Sequence, residues 1–169
     1  LPVGDRDHVQ GPASAPATLV EYGDYECPYC GMAYPIVKRV QQHFGDRLRF
    51  VFRNFPLAEV HPHAEAAAEA AEAAAAQGKF WEMHDTLYEH QRALDTTHLR
   101  DYARQLGLDI AAFEQALAAH AFAGRVHEDF ISGARSGVNG TPTFYINGRR
   151  HDASYDLDTL TAAIERAIR

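Results

Sequence analysis

Two short runs of β-favouring residues, 17–22 and 48–55, stand among long stretches of helical period, and this alternation predicts a mixed α/β fold. The first run reads as a strand ending at the turn Gly23-Asp24-Tyr25-Glu26, after which apolar positions recur at helical spacing through about Phe44. Pro56 closes the second run, and from there to about Gly137 the pattern is helical. Residues 63–77 are mostly alanine and end at Gly78. They could be a low-complexity spacer, but small side chains of the highest helix propensity, followed by large apolar partners, predict a closely packed helix. Those partners, Phe80, Trp81, His84, Leu87 and Tyr88, form an aromatic stripe of the kind that builds a core. Three further helices are predicted over 97–106, 109–120 and 124–136, with Gly107 and Gly137 as stops and Asp109 as an N-cap. Residues 138–148 read as a Gly-containing loop, a short strand and an Asn-Gly hairpin turn, with 149–151 returning. Asp156 caps a last helix whose Leu157, Leu160, Ile164 and Ile168 share one face and should pack on the sheet.

A length of 169 residues suits one compact unit, and no repeat or interdomain linker interrupts it. A net charge of −7 offers no basic patch for nucleic acid, and no apolar run is long enough to cross a bilayer. Ten histidines raise the question of a metal, yet they are scattered, and His61, His63, His84 and His90 have no visible ligand set around them. They read as solvated or core residues.

The chain has two cysteines, Cys27 and Cys30, so no structural disulfide can exist beyond this pair. Cys27-Pro28-Tyr29-Cys30 follows the first strand directly. Pro28 falls where a first helical residue would be, which makes Cys27 the N-cap. First-turn N–H groups and the positive end of the helix dipole then favour its thiolate, predicting a lowered pKa. Cys30 lies one turn further on, within reach of a disulfide. Cys27 is expected to be the accessible sulfur that attacks, and Cys30 the more buried one that resolves the mixed disulfide. Zinc is the competing use of such a pair, but a tetrahedral site needs four ligands, and His61-Pro62-His63 would have to complete it.

Glu21 is a third candidate. Strand alternation sets it opposite Val20 and Tyr22. Pointing inward it would be a buried carboxylate able to exchange a proton with Cys30; pointing outward it is an ordinary strand residue.

Far along the chain, Gly140-Thr141-Pro142-Thr143-Phe144 leads into the third strand-like run. Taken together, E-Y-x-x-x-x-C-P-Y-C at 21–30 and G-T-P-T-F at 140–144 resemble the DsbA-like thiol:disulfide oxidoreductases of the thioredoxin superfamily, over about 17–168. The resemblance implies a thioredoxin-like fold with an α-helical insertion, residues 62–137, between the second strand and the cis-proline loop. It implies Pro142 as that cis-proline, with Thr141 before it, Thr141 and Pro142 clamping a substrate backbone, and Glu21 as the buried acid. Pro28, Tyr29 and Tyr25 are expected to border the redox pair. Pro-Tyr within the pair is similar to many glutaredoxins, whereas strongly oxidising DsbA enzymes have Pro-His, which implies a less acidic Cys27 and a less oxidising disulfide. Thr141 resembles the choice of disulfide isomerases.

The implied activity is disulfide exchange with protein thiols and disulfides, with a redox partner protein or glutathione as the second partner and no metal or organic cofactor. Two alternatives stand beside it. One is a glutaredoxin-like, glutathione-dependent reductase; the other is a non-catalytic redox sensor within a larger membrane protein. The absence of structural disulfides leans towards the cytoplasm, with periplasm or cell envelope left open by a chain that starts at Leu1 without methionine.

Overall fold

The computed structural model describes residues 1–169. Its five strands, β1 (His8–Gln10), β2 (Ala17–Gly23), β3 (Leu48–Asn54), β4 (Thr143–Ile146) and β5 (Arg149–His151), hydrogen-bond in the order β1-β3-β2-β4-β5. β2 runs parallel to β3 and antiparallel to β4, so the sheet is mixed. At the β4–β5 turn both Asn147 (φ 48°) and Gly148 (φ 82°) are left-handed, the geometry that a two-residue hairpin demands.

β1 has no counterpart in the sequence reading. Three residues carry too little periodicity to announce a strand; β1 exists because the open edge of β3 offers it partners. Side-chain contacts hold it there. Arg53 of β3 donates to both oxygens of Asp7 at 2.9 and 3.0 Å, and the His8 ring stacks on Phe80 at 3.6 Å between centroids while its Nε2 meets the Glu72 carboxylate.

Seven helices complete the chain: α1 (Pro28–Phe44), α2 (Ala64–Ala75), α3 (Phe80–Glu89), α4 (Thr96–Gln105), α5 (Ile110–Ala118), α6 (Ala123–Arg135) and α7 (Leu157–Ile168). Five of them, α2 to α6, lie between β3 and β4. The alanine-rich segment is a helix buried along almost its whole length, because alanine lets α3, α5 and α6 all approach its backbone. Asp109 and Asp156 cap α5 and α7 by accepting from Ala112 N (3.1 Å) and Thr159 N (2.9 Å). Asp109→Ala should therefore cost about 1 kcal/mol, read as a lowered midpoint in thermal denaturation.

Alternation along β2 divides the core. Leu19 joins Phe50, Phe52, Phe144 and Ile146 against α1, α3 and α7, in the larger cluster. Val20 and Tyr22 face the other way, with Val51, Phe55 and Val138, and are covered by Phe130 of α6. Each fully buried phenylalanine contributes about 2–3 kcal/mol, so the larger cluster anchors α1 firmly on the sheet. No helix is long and apolar enough to cross a membrane. Because Tyr22 pairs with Thr143 across β2 and β4, the turn leaving β2 and the loop entering β4 emerge at the same end of the sheet.

Candidate active site

At that end Cys27 occupies the N-cap of α1 in an extended conformation (φ −69°, ψ 122°), with Pro28 at the first helical position. The proline forfeits only an N–H that no intrahelical carbonyl would have received. The first turn carries no acidic side chain that would oppose negative charge at the helix mouth. The peptide bond between Thr141 and Pro142 is cis, and the Thr141 carbonyl oxygen lies 3.6 Å from Cys27 Sγ.

Both cysteines are free thiols, yet their surroundings push them in opposite directions. Cys27 is drawn down to about 5, foremost by a hydrogen bond from the Cys30 thiol. Partial burial opposes this, while the backbone N–H groups of Cys30 and Tyr29 add to it. Cys30 is pushed well above the ordinary thiol range by burial first, then by donating its proton to Cys27 and by the nearby Glu21 carboxylate. The Asp24 N–H points at Cys30 Sγ from 3.5 Å and offsets a little of this. A thiolate beside a thiol is therefore the resting state of the reduced pair.

Cys27 is only 3% exposed, which differs from the accessible sulfur that the sequence suggested. The reason is tertiary: the cis-proline loop, more than a hundred residues away in sequence, closes over it. What reaches solvent is the rim. Pro28 is exposed, Tyr29 is 62% exposed and Met32, one turn from it, is 63% exposed.

Glu21 points inward. It sits in the sheet between Phe52 and Phe144, is 2% exposed, and its Oε1 has no hydrogen-bond partner. Desolvation, with a smaller part from the charge of Cys27, raises its pKa to about 8.

Tyr25 lies in the core, where it cannot border a substrate. Its ring packs on Phe52 and Tyr88 and its hydroxyl meets His84 Nδ1 at 2.9 Å. Burial raises the tyrosine pKa and lowers that of the histidine, so the phenol donates to a neutral imidazole. His84 is thus a core residue with a definite task. His61 and His63 pair with Asp24 and Glu26, each at 2.7 Å, and tie the loop after β3 to the turn before Cys27.

Two residues in this neighbourhood left no readable mark in the sequence. The buried Asp24 carboxylate accepts from Glu26 N, Leu57 N and His61, which braces the approach to the redox helix. Gln91, in the loop after α3, donates from Nε2 to the carbonyls of both Tyr25 and Cys27 at 2.9 Å. Their partners are non-local for Gln91 and mostly so for Asp24, and neither residue belongs to a periodic pattern.

Comparison with known proteins agrees with this geometry. A sequence-family profile described as thioredoxin matches residues 4–166. Among solved structures, BdbD from Bacillus subtilis superposes with a TM-score of 0.86 at 27% identity, covering 95% of this chain and 91% of that one. A thioredoxin-like oxidoreductase from Silicibacter pomeroyi DSS-3 gives 0.85 at 27%, covering 97% and 93%. The α-DsbA1 of Wolbachia pipientis shares the fold, with a TM-score of 0.85 at 20% identity over 99% of this chain and 93% of that one. Curated relatives similar in sequence carry a different name. The Na(+)/H(+) antiporter NhaA 1 of Salinispora arenicola is 52% identical over 97% of this chain, and the NhaA 1 of Mycobacterium sp. strain KMS is 46% identical over 95%. The chain spans only about a quarter of their length, 25% and 27% respectively. On the extent of the profile match, the chain belongs to the thioredoxin family, and it shares the fold of the DsbA-like proteins on which it superposes.

Proposed function

We propose that this protein exchanges disulfides with protein substrates through Cys27-Pro28-Tyr29-Cys30, acting as one domain over 1–169 in which 62–137 form a helical insertion. The reading rests on one observation above the others: a thiol held at about 5 beside a partner held far above the ordinary range, under a cis Thr141–Pro142 bond. In the reducing direction, the Cys27 thiolate attacks a substrate disulfide, forming a Cys27–substrate bond and releasing one substrate thiolate. Glu21, in its ionised form, then takes the Cys30 proton, and the Cys30 sulfur attacks Cys27 Sγ. The second substrate thiolate leaves, and two electrons have passed from the pair to the substrate. Oxidation of a substrate dithiol is the same sequence run backwards. The Thr141–Pro142 backbone, with Pro28 and Tyr29 on the rim, holds the substrate chain beside Sγ.

Cys30→Ser tests the division of labour. A substrate disulfide should then stop at a Cys27-linked mixed disulfide that mass spectrometry detects, and failure to accumulate it would remove Cys30 from the resolving role.

A second reading draws on the antiporter relatives, of which this chain matches about a quarter. In it the pair reports redox state to an adjoining membrane protein. Exchange with a dithiol peptide no faster than with a small free dithiol would favour that reading, and fast exchange the first.

A further inference from the structure

We propose that Gln91 is a positioning residue for the redox pair, holding the Cys27 backbone in the one geometry that aims the first-turn N–H groups of α1 at its sulfur. The inference rests on the reading of Cys27 as nucleophile and goes beyond it by assigning a residue from the helical region to the reaction.

Three observations carry it. First, one amide nitrogen spans the whole turn: Gln91 Nε2 donates to Tyr25 O and to Cys27 O, each at 2.9 Å, using both of its hydrogens. The Cys27 carbonyl also receives Gly31 N at 3.0 Å, so it is held by the helix on one side and by Gln91 on the other. Secondly, the turn is anchored from beneath by Asp24, whose carbonyl receives Cys27 N at 3.1 Å and whose own N–H faces Cys30. The residues on either side of Glu26 thus have their carbonyls fixed by a side chain 64 and 66 positions away. Thirdly, Gly31 makes room for that side chain. A Cβ there would run into Oε1 and Cδ of Gln91, so glycine next to Cys30 is required by the clamp.

The physical consequence follows from the N-cap. Its ψ decides where the sulfur lies relative to the free N–H groups of Tyr29 and Cys30, which are among the groups that stabilise its charge. Gln91 restricts that angle through the carbonyl, and its amide hydrogens oppose the negative carbonyl end nearest the sulfur. Without them the turn relaxes and the thiolate is less well solvated by the helix.

Gln91→Met keeps the length of the side chain and removes both donors; Gly31→Ala attacks the same contact from the other side. The Cys27 thiolate is titrated by its ultraviolet absorbance in the reduced protein, and the reduction potential is measured against a glutathione series. In both variants the thiolate midpoint should rise by about one unit, which approaches a tenfold loss of thiolate at a pH well below the parent's midpoint. The potential should fall by about 30 mV, because the reduced form has lost that stabilisation. If Gln91→Met does not fold, Gly31→Ala alone supplies the readout. A parent protein that titrates low together with a folded variant that titrates at the same pH overturns the inference and leaves the function standing. A parent that titrates in the ordinary thiol range overturns both.

Discussion

Cys27→Ser should lower disulfide exchange by about a thousandfold or more, to the level of the uncatalysed reaction, because a serine hydroxyl neither ionises near neutral pH nor cleaves a disulfide. The decisive companion measurement is how the potential varies with pH. Cys27 is held at about 5 against an ordinary thiol value of 9.0. For an acid whose folded pKa is depressed, the stabilising contribution is complete above the unfolded value and is lost as pH falls through the folded one. The reduced protein should therefore gain stability relative to the oxidised one as pH rises from about 5 to about 9. The same ionisation sets the proton count. Between about pH 5 and pH 7 reduction takes up one proton for two electrons, a slope of about 30 mV per pH unit; below pH 5 it takes up two, and the slope doubles. A slope that stays at the two-proton value up to pH 8 would mean that Cys27 is an ordinary thiol, and the nucleophile would have to be sought elsewhere.

Glu21→Gln should make the protein more stable and less active. With its pKa raised from 4.5 to about 8, the folded state holds the Glu21 proton more tightly than the unfolded chain does. The carboxyl's favourable contribution is complete below the unfolded value and is lost as pH climbs through 8, so at neutral pH the ionisable group costs the fold about 3 kcal/mol. Gln keeps the shape but brings a buried amide that also lacks partners, at a cost of about 1–2 kcal/mol. Urea unfolding should show the variant slightly weaker near pH 4, overtaking the parent as pH rises and leading by the widest margin above pH 8. Resolution of the mixed disulfide should slow by about a hundredfold, since Cys30 loses the acceptor for its proton. A variant resolving at the parent's rate would leave Glu21 as a stability defect without a catalytic use. Gain in stability with loss of rate is the pattern expected of a buried group retained for its chemistry.

The outline of the fold was legible because its signals are local. Runs of β-favouring residues announced β2 and β3, Asn147-Gly148 the final hairpin, and Asp109 and Asp156 the starts of two helices. Cys27 at the N-cap could be placed from Pro28 alone, since the proline ring accepts few other positions. Glu21 was only half legible. Alternation told which side chains it opposes, and whether that face was inside depended on α1, α3 and α7 packing over it. β1 was illegible because three residues hold no period, and its pairing is supplied by the edge of β3.

What the sequence by itself determined is the order of elements and the placing of the two cysteines at a helix start, both encoded in spacings of two to four residues along a chain whose backbone preferences are short-range. Only the tertiary structure decided how that pair behaves. Burial of Cys27 under the Thr141 loop, removal of Tyr25 into the core by His84, the Asp24 brace and the Gln91 clamp each join residues from distant segments. Such contacts depend on three-dimensional proximity, and an ionisation equilibrium responds to everything near the charge, however far away along the chain it began.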